Sequence, residues 1–195
     1  MRLAVVSLCF ATLLLSACST VKYGDAKATE TVNTDFGSTD LQAIAHSIVQ
    51  DLLQFPPMVA VTHQKRPVMF IDGVQNNTNE HIDMQSITDS IQSDLIQSGK
   101  YRFVDPKAIS RVKAQFKYQS ASGLVDPTKA IQVGKHLGAE YMLYGNMTSI
   151  TKNDGHTRDV YYKFTLKLMD LSTGILEWSS EKEIRKARKK SLLGL

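Results

Sequence analysis

The chain has 195 residues, 43% of them hydrophobic, and 23 basic against 19 acidic side chains give a formal net charge of +4. So mild a balance implies no general affinity for nucleic acid or membrane, and the length suits one domain with a real core. Both cysteines, Cys9 and Cys18, lie at the N-terminal end.

Arg2 supplies a short positive n-region, and Leu3 to Leu15 form an apolar stretch broken only by Ser7 and Thr12. A transmembrane helix needs about 20 apolar residues, whereas a signal-peptide core needs about 7 to 15 before a small-residue cleavage site. The second description fits. The tetrad Leu15-Ser16-Ala17-Cys18 resembles the bacterial lipobox. That resemblance implies cleavage before Cys18, diacylation of its thiol and acylation of the new amine, with residues 1–17 as the signal peptide. Ser19 rather than Asp at the next position implies sorting to the outer membrane, on its periplasmic face. Acyl chains at about 0.8 kcal/mol per buried CH₂ would hold the protein there stably. Cys9 is discarded with the signal, which removes disulfides, cysteine metal sites and cysteine nucleophiles from the mature chain.

Residues 18–38 follow as the lipidated Cys18 and a polar tether without apolar periodicity. Residues 39–184 form the expected globular domain, and residues 185–195 a basic tail in which Arg185, Lys186, Arg188, Lys189 and Lys190 crowd together. The tail reads as a solvated, frayed end; its charges and Leu192, Leu193 and Leu195 also suit anionic lipid, peptidoglycan carboxylates or an acidic protein surface.

Within the domain, Leu41, Ile44, Ala45, Ile48, Leu52 and Leu53 stand at helical spacing behind Asp40 as N-cap, and Pro56-Pro57 stop the run. Val68 to Ile71 is continuously apolar and reads as a strand buried on both faces, ended by Asp72 and followed by a loop of Asn76, Asn77 and Asn79. Met84, Ile87, Ile91 and Leu95 make the stripe of a second helix that stops at Gly99, and the strand at Tyr101 to Asp105 completes a parallel crossover. Asp105-Pro106 and Asp126-Pro127 each place a capping oxygen before a helix-starting proline, so two further helices are expected. A strand follows at about 139–150. From Val160 to Leu168 alternation is strict: Val160, Tyr162, Phe164, Leu166 and Leu168 share one face, Tyr161, Lys163, Thr165 and Lys167 the other. The "DLSTG" turn leads into a last strand whose Leu176 and Trp178 are expected to face the same core. The fold class is therefore α/β, a single domain with a mixed sheet, parallel at its centre with an antiparallel edge hairpin, flanked by helices.

Catalytic constellations are missing from this reading. Asp72 at a strand end is the best enzymatic candidate, but no lysine or phosphate-relay hydroxyl accompanies it. His46, His63, His81, His136 and His156 are scattered singly, and there is no GxSxG elbow, Walker loop or GxGxxG. No enzyme and no cofactor is expected.

Three stretches in order, "PVMFIDGVQNNTN" running on to "SGKYRFVD", "VGKHLGAEYMLYG", and "LKLMDLSTGILEWS", resemble the LpoB family of outer-membrane lipoprotein activators of class A penicillin-binding proteins. Pieces of the same pattern occur in the TolB amino-terminal domain. The resemblance implies a TolB-like domain that crosses the periplasm on its tether, docks on the regulatory domain of the synthase and stimulates glycan polymerisation. A structural, secretion-assembly or peptidoglycan-tethering lipoprotein is the alternative. Candidate partner-binding residues are Asn76, Asn77, Thr78 and Asn79, Tyr118 between two helices, and Tyr161, Lys163 and Lys167 on the polar strand face, since aromatic and basic types are enriched at interfaces.

Overall fold

The computed structural model of the chain describes residues 24–30, 33–104, 132 and 138–189. Cys18, Tyr118, the helices expected behind Asp105-Pro106 and Asp126-Pro127, and residues 190–195 lie outside the described residues.

Helix α1 spans Ser38–Gln54 and buries Ile44, Ala45, Ile48, Val49 and Leu52. Its N-cap is Gly37, one turn earlier than expected. Asp40 sits at N3 and accepts the Gly37 N–H at 2.9 Å, closing the turn from inside the helix. Pro56-Pro57 end α1, as the loss of a backbone donor requires, yet they also occupy the first positions of an unforeseen helix α2, Pro56–Gln64. Strand β1, Val68–Asn77, is followed by α3, Met84–Gln97, capped by Asp83, whose carboxylate accepts from the amides of Gln85 and Ser86. Then come the short β2, Arg102–Phe103, and three long strands, β3 Tyr141–Asn153, β4 Thr157–Asp170 and β5 Leu176–Lys189.

The sheet order is β2-β1-β3-β4-β5. β1 pairs in parallel with both β2 and β3, and β3-β4-β5 continue antiparallel. Asp72 does not end β1. The strand runs on to Asn77 through an irregularity between Ile71 and Gly73, where Gly73 adopts φ 109°, a conformation that disfavours any side chain. Asn76 and Asn77, expected in a loop, are thus strand residues opposite Met147 and Thr148.

One face of the sheet carries the main core. Val160, Tyr162, Phe164, Leu166 and Leu168 are all essentially buried there with Met69, Leu143, Met147 and Trp178, under the apolar stripes of α1 and α3. Gly145 lies among them, and a Cβ at that position would stand 2.1 Å from the carbonyl oxygen of Thr165, so the close approach of β3 to β4 requires glycine. The other face is apolar at one end only, where Phe70, Met142, Met169 and Leu171 form a second cluster. Leu176 is exposed, contrary to expectation. A register shift pairs Leu168 with Trp178 but Met169 with Leu176, which turns Leu176 to the face opposite Trp178.

Of the run expected as a frayed tail, Arg185 to Lys189 form the end of β5. Lys186 is nearly buried, forms an ion pair with Asp40 of α1 at 2.5 Å, and donates to the carbonyl of Asp35 at 2.7 Å. With the Ser180 hydroxyl against Asp51, it fastens the edge strand to the first helix.

Candidate functional site

Among the described residues, the half of the sheet not covered by α1 and α3 carries polar and charged side chains towards its hairpin end. Cross-strand partners place Asn77, Thr148 and Lys163 in one row, Asn146 with Thr165, and Tyr144 with Lys167 and Ser179. Three of the expected residues, Tyr161, Lys163 and Lys167, therefore share this face with Asn77. Alternation alone put them there: their neighbours one residue away fill the core.

Their charges are ordered by diagonal pairs between β4 and β5. Asp159 receives the Arg185 guanidinium through Nε at 3.1 Å and Nη2 at 2.5 Å. Tyr161 hydrogen-bonds to Glu183, and the Lys163 ammonium stands 2.7 Å from Glu181. In each pair the β5 residue is the direct partner of the residue two further along β4, a spacing that long side chains bridge. Electrostatics follow the ladder. The Arg185 bond holds Asp159 below the usual carboxylate range, the bond to Glu183 raises Tyr161, and the bond to Glu181 raises Lys163. All three groups are half-buried at the surface with solvent beside them, so the ladder contributes little stability and serves to fix side-chain positions. Lys167 makes no ion pair among the described residues, which leaves its ammonium available to a partner.

The asparagine-rich segment is a different object. Asn76 donates to the carbonyls of Glu80 and Ile82 at 2.8 and 3.5 Å and accepts from the Thr78 amide and hydroxyl at 3.0 and 2.7 Å. Thr78 in turn accepts from the Glu80 amide at 3.1 Å. Asn76 and Thr78 thus spend their hydrogen-bonding capacity on the turn that leads into α3, whereas Asn77 and Asn79 remain exposed. Asp72, half-buried beside the Gly73 irregularity, stands inside β1 rather than at an open strand end.

A family model described as "Peptidoglycan-synthase activator LpoB" matches residues 40–184 of this chain. The chain belongs to the LpoB family. Curated relatives include the penicillin-binding protein activator LpoB of Erwinia amylovora, 27% identical over 112 residues that cover 57% of this chain and 52% of that protein. The Escherichia coli protein of the same name is 27% identical over 118 residues, covering 58% and 50%. The chain thus spans about half the length of the curated relatives it matches. Among solved structures, the LpoB C-terminal domain from Salmonella enterica superposes with a TM-score of 0.54 at 22% identity, covering 74% of this chain and 98% of that one. It shares the mixed α/β fold.

In this member of the LpoB family, a second set of residues near the sheet escaped sequence reasoning. The Tyr162 hydroxyl lies 2.6 Å from Glu80 Oε1 and 3.0 Å from the Thr34 carbonyl, and its ring meets Phe36 edge-on at a centroid distance of 5.8 Å. Burial, then the bond to Glu80, pushes the Tyr162 phenol well above its ordinary value. Arg158 reaches Asp35 at 3.1 Å and Glu80 at 3.6 Å, and the Phe36 amide donates to Glu80 Oε2 at 3.1 Å. Together they strap residues 34–36 onto the sheet. No periodicity announces such contacts, because every partner is far away in sequence; the one signal was a tyrosine on the core-facing side of an alternating strand, which must find a polar partner for its hydroxyl.

Proposed function

We propose that this chain is a non-enzymatic regulator of peptidoglycan synthesis, anchored through acylated Cys18 at the periplasmic face of the outer membrane. Its domain binds and activates a class A penicillin-binding protein through that enzyme's regulatory domain. The observation that carries this reading is the family match over residues 40–184, a span that takes in the whole sheet up to Ile184. The polar sheet face supports it. Tyr161, Lys163 and Lys167 stand there on rigid strands, with an ion-pair ladder that presents a defined pattern of charge rather than a loose basic patch. An activator of this kind needs no reactive group; it needs higher affinity for the active than for the inactive form of its partner.

The test adds the purified mature chain to class A synthases and follows glycan polymerisation. The expected result is stimulation of one synthase, lost in a Lys163→Glu/Lys167→Glu variant whose melting temperature is unchanged. Cys18→Ala abolishes function in cells while the purified chain still stimulates. Retention of peptidoglycan without stimulation of any class A synthase would replace the activator by a tethering lipoprotein.

A further inference from the structure

The hairpin end of the sheet carries more cations than the fold and the ladder use. At the tip where β3 turns into β4 and β5 ends, six basic residues converge: Lys152, Arg158, Arg185, Lys186, Arg188 and Lys189. Three are neutralised, Arg158 by Asp35 and Glu80, Arg185 by Asp159, and Lys186 by Asp40. The remaining acid of the tip, Asp154, is engaged by the amides of His156 and Thr157 at 2.9 and 2.5 Å. Lys152, Arg188 and Lys189 are exposed and make no ion pair among the described residues. Beside them Ile150 is 60% exposed, on the same face as Lys152 and Lys189.

The path of the N-terminal segment fixes what this end faces. Residues 24–30 lie along the start of α1, where Gln42 donates to the Ala26 carbonyl at 3.0 Å and Ser38 to Glu30 at 2.9 Å. Residues 34–36 are strapped to Tyr162, Arg158 and Lys186, at the same end of the sheet. Cys18 precedes Gly24 by six positions, which at full extension span only about 20 Å. A lipid on Cys18 therefore brings the membrane to this end of the domain and not to the end that holds Ser172.

We propose that Lys152 and Lys189, with Ile150 of β3 on the same face and Arg188 on the opposite face of the hairpin end, form a docking surface for the anionic lipid headgroups of the membrane in which Cys18 is anchored. The pairing of exposed cations with an exposed aliphatic side chain is the chemistry of interfacial attachment, and each basic side chain near an anionic surface strengthens partitioning roughly fivefold. Docking sets the orientation of the domain: with the hairpin end on the membrane the strands rise from it, Tyr161, the direct partner of Ile150, standing nearest the headgroups and Lys163 and Lys167 progressively farther away. The inference rests on the acylation of Cys18 and is independent of which synthase is activated.

The acylated full chain, its acylation verified by mass, is placed in vesicles of phosphatidylethanolamine with or without phosphatidylglycerol. A fluorophore on Thr157→Cys reports the hairpin end and one on Ser172→Cys the opposite end, each read by quenchers in the headgroup region. Quenching at 157 but not at 172 is expected, only with phosphatidylglycerol and reversed by salt. In Lys152→Gln/Arg188→Gln/Lys189→Gln the docked-to-free ratio should fall roughly a hundredfold. Equal quenching at both ends, insensitivity to phosphatidylglycerol, or salt-independent quenching of the wild-type chain would each overturn the proposal, whether or not the triple variant folds. Binding of isolated peptidoglycan through the same three residues, with no vesicle response, would also overturn it. Synthase stimulation measured in parallel separates failure of docking from failure of the activator reading.

Discussion

Replacing Lys186 by methionine decides whether the C-terminal basic run belongs to the fold. Methionine keeps most of the aliphatic stem and removes the ammonium, so the loss reports on the charge. In the wild type the ammonium is 2.5 Å from Asp40 and 2.7 Å from the Asp35 carbonyl, with 13% and 8% of the Lys186 and Asp40 side chains exposed. Exposed pairs contribute about 0 to 1 kcal/mol, whereas stripping one partner from a buried pair costs about 3 to 5. Asp40 keeps the Gly37 amide as a donor, which softens the penalty. A cost of about 2 to 3 kcal/mol follows, and for a domain of this size a fall in Tm of roughly 5 to 10 °C. Urea and thermal melts measure it. Arg188→Met, at an exposed and unpaired position two residues on, should stay within about 0.5 kcal/mol of wild type. In a cycle with Asp40→Asn, the coupling between the two sites should exceed about 1 kcal/mol. Equal, negligible effects of Lys186→Met and Arg188→Met would refute the argument and return the run to a frayed end.

Three further substitutions probe other joints of the structure. Gly145→Ala drives a methyl group against the Thr165 carbonyl at 2.1 Å, and since the atoms it meets are all backbone the strands must separate; a loss of at least about 2 kcal/mol is expected in denaturant melts. Tyr162→Phe leaves Glu80 without its phenolic donor and frees the Thr34 carbonyl, at a cost of about 1 to 2 kcal/mol, and limited proteolysis should show earlier cleavage within residues 33–37. Asp170 would be raised by burial, but bonds from the Ser172 amide and hydroxyl and the Thr173 amide outweigh that and lower it. A carboxyl lowered on folding stabilises the native state above its unfolded pKa of about 3.9 and loses that contribution as pH falls through the folded value. Asp170→Asn should therefore flatten the acid limb of the stability curve below about pH 4, and an unchanged limb would count against the assignment.

Much of the fold was legible because its signals are periodic. The stripe of α1, the stripe of α3 and the alternation of β4 each repeat over enough residues to outweigh local noise. Failures cluster where one backbone irregularity reverses a pattern. Asp72 looks like a strand end because aspartate is turn chemistry, yet Gly73 beside it absorbs the irregularity and β1 continues to Asn77. Leu176 keeps perfect alternation with Trp178 and is still turned outward by a register shift that leaves no trace in composition. The basic run failed for a different reason. Its alternate residues face α1, and a lysine opposite Asp40 satisfies burial as well as an apolar residue would, so hydropathy reports a tail where topology makes a strand. Of the surface residues, Tyr161, Lys163 and Lys167 were found through alternation, whereas Asn76 and Thr78 drew notice for their polarity and turned out to spend it on their own turn.

The strap on residues 34–36 converts these local contacts into a statement about reach. With the proposed anchor at Cys18, and with Ala26, Glu30 and residues 34–36 held against α1 and β4, the chain from Cys18 to the first described residue, Gly24, is six positions, about 20 Å at full extension. Released up to Ser38, the same chain offers twenty residues and roughly 70 Å. The contacts that decide between the two lengths are the Gln42 bond to the Ala26 carbonyl and the Ser38 bond to Glu30, followed by the Tyr162 hydroxyl, the Phe36 ring, the pair of Arg158 with Asp35 and the Lys186 bond to the Asp35 carbonyl, each a small term. Tyr162→Phe therefore bears on function as well as stability. Combined with Gln42→Ala and Ser38→Ala, which free Ala26 and Glu30, it should lengthen the reach of a domain anchored at Cys18, so the activator reading predicts that in cells this variant supports a distant synthase better than its lowered stability alone would allow, and that in solution, where reach is irrelevant, it stimulates no better than wild type. Improvement in both settings would place the effect in the binding face and not in the strap.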